Sequence, residues 1–469
     1  MKFLLINPFV DYSVIKEIFA NEAQVPTLGL LYIASPLEKE GHDVEIIDFY
    51  AEKFSEKRLT QVLYGKDAVG ITVRSQGKKS VETIIDLIKK TNPNMPIIIG
   101  GPHCTLDPIQ AILDTKADIC VEGDGEKVIT KIAEALQGKI KLSEIPGIYY
   151  LENNNIMKGP PAEIIEDLDS LPFPARHLVE KYRYGDVQGD LKLGKVTSII
   201  MSRGCPYNCK FCANRAVTKK YRSRSAENII KEIREIKQKY DFLDIIDDNF
   251  FVDIKRADKI LDFLIEEKHN LKIGIYGVRV DAPDKNLFKK MKKAGVKVVF
   301  FGLESGNQEV LDFYNKGTNL DQIHDAVRLA DKAGLITWGS FIFGAPIETE
   351  KHLQTTIKFA KELRLDVAAF VPLGYFKGSP LWIEAVAEGK IREDEFYVKS
   401  DSARGLGNFS DEELSNWCIK AFKEYYLRPS YILNQILRSI IRRDLLIAKL
   451  GLGLLFKENS IIKYKMVHL

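Results

Sequence analysis

The chain has 469 residues, 45% hydrophobic and 28% charged, an ordinary globular composition with core enough for two to four domains. Its formal net charge of +3 gives no electrostatic reason for a nucleic-acid partner. Of its six cysteines, Cys104, Cys120 and Cys418 stand apart and the other three share one loop; that is no disulfide framework, and it points to a reducing, cytoplasmic compartment.

In chain order, the opening apolar run is short, broken by Pro8 and followed by Asp11. It reads as a first β-strand over residues 3–7 rather than a signal peptide. No segment reaches the roughly 18–20 apolar residues of a membrane span. A helical pattern follows at 28–40, then strands at 43–48, 68–73, 96–100 and 119–121, with helical patterns at 80–90 and 126–137. Strands alternating with helices through short links predict a doubly wound parallel sheet over residues 1–150, with any ligand at the carboxyl ends of its strands. Asn7-Pro-Phe-Val-Asp-Tyr12 lacks the G-x-G-x-x-G of a dinucleotide fingerprint.

Residues 151–195 break the rhythm and read as a linker. Asn153-Asn-Asn155 and Gly159-Pro-Pro161 are turn signals, and Leu168-Asp-Ser-Leu-Pro-Phe-Pro174 is extended. A second alternating block, residues 196–390, offers strands at 197–202, 243–247, 272–276, 296–302, 337–343 and 367–371, separated by helical patterns such as 226–239, 255–267 and 320–333. Six such units predict a partial (β/α)6 barrel with function at the carboxyl ends of its strands. Residues 391–469 read as mainly helical. Over 431–449, Ile432/Leu433, Ile436/Leu437 and Ile440/Ile441 recur four apart with Arg438, Arg442 and Arg443 between them, a basic amphipathic helix.

Chemistry concentrates in Met201-Ser-Arg-Gly-Cys205-Pro-Tyr-Asn-Cys209-Lys-Phe-Cys212, just after the first strand of the second block. Clustered thiolates select zinc or iron–sulfur. A closed structural zinc site needs four ligands, so three cysteines leave either a distant fourth ligand or an open position on a metal cluster.

The C-x3-C-x2-C spacing, with Phe211 before the last cysteine, resembles the signature of the radical S-adenosylmethionine (SAM) enzymes. The resemblance implies that Cys205, Cys209 and Cys212 hold a [4Fe-4S] cluster whose free iron chelates SAM. An electron from the cluster would then cleave SAM to a 5′-deoxyadenosyl radical. It also implies SAM contacts from Phe211, from Asp248 and Asn249 after the second strand, from Arg279 after the third, from Glu304 and Ser305 after the fourth, and from Gly344 after the fifth.

The first block resembles the cobalamin-binding domain of B12-dependent radical SAM proteins. The carrying segments are Pro26-Thr-Leu-Gly-Leu-Leu-Tyr-Ile-Ala34, Glu40-Gly-His-Asp-Val-Glu-Ile-Ile-Asp48, Ile99-Gly-Gly-Pro-His-Cys-Thr105 and Val121-Glu-Gly-Asp-Gly-Glu126. With the radical SAM block, the resemblance covers residues 1 to about 390, and Tyr426-Leu-Arg-Pro-Ser-Tyr431 also resembles that subfamily's tail. Candidate cobalamin contacts are Leu28, Gly29, Arg74, Ser75, Gly100, Gly101, Pro102, His103, Glu122, Gly123 and Glu126. The chain lacks the D-x-H-x-x-G motif, as several members of the subfamily do, so Arg74-Ser-Gln76 is the candidate for the lower face of cobalt. Gly100 and Gly101 would let the backbone approach a bulky ligand.

The expected activity is therefore methylation of an unactivated carbon by a cobalamin-dependent radical SAM enzyme. The alternatives are a cobalamin-dependent radical cyclase or rearrangement enzyme, and, from another class, a non-catalytic iron–sulfur scaffold or sensor. The partners implied are a small-molecule or lipid substrate and an electron donor such as flavodoxin or ferredoxin. The basic C-terminal helix, with Leu450-Gly-Leu-Gly-Leu-Leu-Phe456 after it, either lies on an anionic membrane, which would suit a hopanoid or related terpenoid substrate, or caps the barrel.

Overall fold

A computed structural model describes residues 1–9, 25–187, 191–192, 194–282 and 284–442. The chain divides into two compact units, Met1–Tyr184 and Gly185–Leu469.

In the first unit, strands β1 (Lys2–Asn7), β2 (Asp43–Asp48), β3 (Ala68–Thr72), β4 (Ile97–Gly100) and β5 (Ile119–Val121) lie parallel in the order β2-β1-β3-β4-β5. A parallel sheet covered on both faces needs strands that are apolar throughout. Phe3, Leu4, Leu5 and Ile6 meet that demand, with no more than 1% exposure each. The direction of winding reverses between β1 and β3. The chain segments leaving those two strands diverge, which opens a crevice at their carboxyl ends.

The stretch expected as a linker from residue 151 onward begins as part of this sheet. Strands β6 (Ile148–Glu152) and β7 (Asn155–Lys158) form an antiparallel hairpin beside β5. Asn153 and Asn154, at φ 50° and 63°, supply the two left-handed residues that a tight hairpin turn requires. The chain then returns to the strand ends: Tyr184 Oη donates to Asp48 Oδ2 (2.9 Å), and Asn7 Nδ2 donates to Asp48 Oδ1 (2.8 Å).

In the second unit, β8 (Val196–Ile199), β9 (Phe242–Ile245), β10 (Lys272–Val278), β11 (Val296–Glu304), β12 (Ile336–Phe343) and β13 (Val367–Pro372) form one parallel sheet in chain order. This is the sheet of the six expected βα units. One face of it, with Ile273, Ile275, Val299, Phe301, Phe341 and Phe343, is buried under helices through residues such as Ile229, Phe288 and Leu353. On the other face Tyr276 stacks on Phe300 at 3.9 Å, and Phe300 meets Trp338 at 5.2 Å.

Among the described residues, register shifts occur at two ladders, between Ile275 and Val278 of β10 and between Gly302 and Glu304 of β11, besides one lower in β10. A bulge at a strand end re-aims the side chains that follow it. The two that follow here are Arg279 and Glu304.

The helix Pro429–Arg442 settles against the amino ends of β12 and β13 with its polar side inward. Arg438 and Arg442 both pair with fully buried Asp366 (2.8 and 2.9 Å) and with Asp331 (2.7 and 3.1 Å), while Tyr431 Oη donates to Asp366 C=O (2.6 Å). Leu433, Ile436, Leu437, Ile440 and Ile441 face outward, Ile441 at 79% exposure. Of the two placements the sequence left open, this is the one against the barrel: two of the three arginines are spent on Asp331 and Asp366. Arg443 and the 450–456 run lie outside the described residues. Among the described residues no helix is long and apolar enough to cross a membrane.

Candidate functional site

The cysteine loop grows from the carboxyl end of β8 and is closed at its base. Ser202–Arg203 pairs antiparallel with Arg222–Ser223. Fully buried Asp247, just beyond β9, accepts from the Met201 N–H (2.6 Å) and the Ser202 hydroxyl (2.5 Å), and Asp248 Oδ2 accepts from the Gly204 N–H (3.1 Å). Gly204 sits at φ 86°, and a Cβ there would come within 2.6 Å of Lys220 C=O, so glycine is needed for the loop to turn.

The far side of the loop is held by residues 314–316, which follow a short helix after β11. The Lys210 N–H donates to Tyr314 C=O (2.9 Å), Asn315 Nδ2 donates to Asn208 C=O (3.0 Å), and the Tyr314 ring meets Phe211 edge-on at 5.1 Å. Beneath them Lys316 Nζ donates to Glu304 Oε1 (2.7 Å), with both side chains less than 10% exposed. Glu304 itself stands at φ 65°, a strained backbone for a non-glycine residue. The Arg279 guanidinium forks onto Asp281 (3.0 and 2.8 Å), donates to Lys316 C=O (2.9 Å) and lies 3.7 Å over the Tyr207 ring of the cysteine loop.

Gly344, at φ 107° after β12, donates its N–H to Glu348 Oε2 (2.7 Å), and its C=O accepts from Ser400 Oγ (2.8 Å). Its neighbour Ala345 shares an apolar cluster with Tyr314 and Phe211. Burial pushes the Glu348 carboxyl up to about 7, against the pull of the two backbone N–H groups it accepts from.

The structure thus brings Phe211, Asp248, Arg279 and Glu304 against the cysteine loop or its support. Two other expected residues turn inward. Asn249 Oδ1 accepts from the Phe251 N–H (3.1 Å), and Ser305 Oγ lies in a buried cluster with Thr356 Oγ1 (3.2 Å) and the Asn307 N–H (3.2 Å). Arg279 has only Nη1 uncommitted among the bonds described.

The donor set fits a metal cluster. Burial holds the Cys205 and Cys209 thiols above their ordinary range, while the nearby cations Arg279 and Lys316 pull the other way. Such thiols surrender their protons when a metal takes them. No three His, Cys, Asp or Glu side chains among the described residues converge on one point, which a single ion requires and a cluster does not.

In the first unit the expected residues collect at the carboxyl ends of the parallel strands. Leu28 and Gly29 open the helix Leu28–Lys39, and nothing lies within 4 Å of where a Gly29 Cβ would stand. Arg74, over the Tyr50 ring at 5.8 Å, and Ser75 follow β3. Gly100 ends β4, and Gly101, at φ 108°, crosses so close to β3 that a Cβ would lie 3.0 Å from Val73 C=O. Pro102 begins the short helix that carries fully buried His103, whose Nδ1 lies 3.2 Å from Ser75 Oγ. Gly123, after β5, donates its N–H to Thr105 Oγ1 (3.1 Å), and Glu122 and Glu126 flank it. Open space beside Gly29, at the reversal of winding, leaves room for a ligand there.

Sequence reasoning missed Tyr207, Asp281, Tyr314, Lys316 and Glu348. Asp281 lies two residues beyond Arg279, and Lys316-Gly317 after a short helix is a turn signal; neither announces a partner.

Comparison with known proteins places these two regions. The model of the radical SAM superfamily matches residues 199–360, and that of the B12 binding domain matches residues 20–133. The chain is 33% identical over 446 residues to an uncharacterized methyltransferase of Pyrococcus horikoshii, covering 93% of this chain and 95% of that protein. It is 25% identical over 493 residues to the cytidylyl-2-hydroxyethylphosphonate methyltransferase of Streptomyces wedmorensis, covering 91% and 90%. Among solved structures, the radical SAM methyltransferase TsrM of Kitasatospora setae, with cobalamin and a [4Fe-4S] cluster bound, aligns at TM-score 0.68 and 21% identity over 82% of this chain and 75% of that one. The cobalamin-dependent radical SAM enzyme OxsB aligns at TM-score 0.71 and 18% identity over 99% and 79%.

Proposed function

From the premise that this chain belongs to the radical SAM proteins with an N-terminal B12-binding domain, we propose that it is a cobalamin-dependent methyltransferase acting on an unactivated carbon of a small molecule. The observation that carries the reading is the three-cysteine loop. It is anchored at both ends of its arc, by Asp247 and Asp248 on one side and by Tyr314 and Asn315 on the other.

Cys205, Cys209 and Cys212 would hold the cluster, and Phe211, Asp248, Arg279, Glu304 and the Gly344 backbone would line the SAM site. Leu28, Gly29, Arg74, Ser75, Gly100, Gly101, Pro102, Glu122 and Gly123 would receive cobalamin, with Arg74-Ser-Gln76 toward its lower face. Bound there, a [4Fe-4S] cluster supplies the electron for SAM cleavage and cobalamin carries the methyl group. The protein's own work is positional. Glycine at 101 lets the loop after β4 cross close against Val73, and the cysteine loop, held on both sides, fixes three thiols that must reach a preformed metal assembly together. Asn249, Ser305, His103 and Glu126 support these loops from behind in this reading. The reaction calls for an external one-electron donor of the flavodoxin or ferredoxin class.

The test is anaerobic purification followed by incubation with SAM and a reductant. About one cobalt and four irons per chain, with S-adenosylhomocysteine formed beside 5′-deoxyadenosine, is the expected result. Consumption of SAM to 5′-deoxyadenosine alone, with every candidate substrate, overturns methyl transfer. That outcome would favour a cyclase, a reading supported by 27% identity over 85% of this chain to the anaerobic magnesium-protoporphyrin IX monomethyl ester cyclase of Rubrivivax gelatinosus.

A further inference from the structure

We propose that Lys316 is the buried cation that sets the charge balance of the three-cysteine site, and with it the reduction potential of the cluster held there. The inference rests on the cluster reading above and goes beyond it, to a residue outside every metal and SAM motif.

Three thiolates crowd negative charge around the cluster they hold, and each electron added makes it more negative. A cation fixed nearby stabilises the reduced state, and low local polarity strengthens its effect. Two cations approach the cysteine loop, Arg279 and Lys316. The Arg279 fork is closed on Asp281, a partly exposed carboxylate. Lys316 is also paired, with Glu304, but its position differs. Its Nζ lies 6.0 Å from the ring of Phe211, which stands between the second and third cysteines in sequence, and it follows directly on Tyr314 and Asn315, which are hydrogen-bonded to the loop. The Glu304 carboxylate, 2.7 Å away, holds the Lys316 ammonium in its charged form against the cost of burial.

The surroundings are built to keep this charge in place. A Cβ on Gly302 would come within 2.5 Å of Glu304 Oε1 and 3.1 Å of Lys316 Nζ, so any side chain there would break the pair. The bulge before Glu304 and its φ of 65° aim the carboxylate at Lys316. The same short segment is hydrogen-bonded to the cysteine loop through Tyr314 and Asn315 and to Arg279 through the Lys316 C=O.

The experiment is a potentiometric titration of the full-length chain, reconstituted anaerobically with iron and sulfide and without SAM, followed by electron paramagnetic resonance and with iron counted per chain. Lys316→Met should lower the ratio of reduced to oxidised cluster at a fixed potential about tenfold, a shift of about 59 mV for a one-electron couple. Glu304→Gln should raise that ratio, and Lys316→Arg should leave it near wild type. Opposite shifts from the two partners of one ion pair are the signature, because a structural role would move both in the same direction. Shifts of the same sign, or none, with iron retained, overturn the proposal. If Lys316→Met takes up no iron, the other two variants decide: a raised ratio in Glu304→Gln with Lys316→Arg unchanged sustains it, and an unchanged ratio in Glu304→Gln overturns it. A wild-type chain that binds no four-iron cluster refutes the cofactor reading, and this inference falls with it. The wrong ordering with the cluster in place refutes only the role of Lys316.

Discussion

Phe211 meets Tyr314 edge-on, ring centroids 5.1 Å apart and planes at 81°, and this contact joins the cysteine loop to the segment that carries Lys316. Tyr314 is fully buried, and its hydroxyl has no hydrogen-bond partner among the described residues. The ring is therefore what the fold uses. Tyr314→Phe should keep stability within about 1 kcal/mol of wild type, since it removes an unsatisfied buried hydroxyl. Tyr314→Ala should cost about 3–5 kcal/mol through the cavity it leaves. Thermal unfolding compares them, and iron content after reconstitution should fall only in the alanine variant.

Cys212 is the exposed member of the three cysteines, so its removal takes little from packing. Cys212→Ala should unfold within a few degrees of the wild-type apoprotein, yet lose cluster iron and all 5′-deoxyadenosine formation. Retained SAM cleavage would contradict the assignment of the site.

Gly29 stands in open space at the start of its helix, so a side chain there meets no protein atom. Gly29→Leu should leave the unfolding temperature unchanged or slightly raised, because leucine favours the helix more than glycine. Cobalamin uptake, measured by absorbance after gel filtration, should fall at least tenfold if the ligand occupies that space. Undiminished uptake would remove Leu28 and Gly29 from the cobalamin site.

Glu348 gives a pH signature. Its carboxyl titrates at about 7 in the folded chain against 4.5 ordinarily, because burial penalises the charged form. The folded state therefore holds its proton where the unfolded state has lost it. The stabilising contribution is complete below about pH 4.5 and is lost as pH rises toward 7, on the order of 3 kcal/mol in all. Glu348→Gln lacks this titration. Across pH 5 to 8 the wild type should lose stability relative to the variant, as read by chemical denaturation at each pH; parallel profiles would contradict it.

Asp366 ties two arginines of the last described helix to the barrel and also accepts from the Thr337 N–H (2.9 Å). Asp366→Asn should cost about 3–5 kcal/mol, the usual penalty for breaking a buried charge network from one side. Limited proteolysis should then cut within Pro429–Arg442 before the rest of the unit, and a cleavage pattern like that of wild type would count against this docking.

Much of this was legible in the residues. Apolar runs such as Phe3–Ile6 could only be buried parallel strands, and the cysteine spacing announced a metal site, because both signals are local. The choice between a membrane-facing and a barrel-packed C-terminal helix stayed open in the sequence for a physical reason. A helical pattern reveals two faces but not which one is buried, and here Asp331 and Asp366, more than sixty residues earlier, turned the arginines inward.

The sequence by itself determined the two parallel α/β blocks, the cysteine loop at a strand end and the glycines at the carboxyl ends of the first unit's strands. These follow from periodicity, spacing and backbone freedom, which are properties of neighbours in the chain. Only the tertiary structure decided that Lys316 pairs with Glu304 under the cysteines, that Arg279 is closed on Asp281, and that Ser305 and Asn249 face inward. Those outcomes depend on which charges are buried together, and burial is settled by packing between segments that the chain order keeps apart.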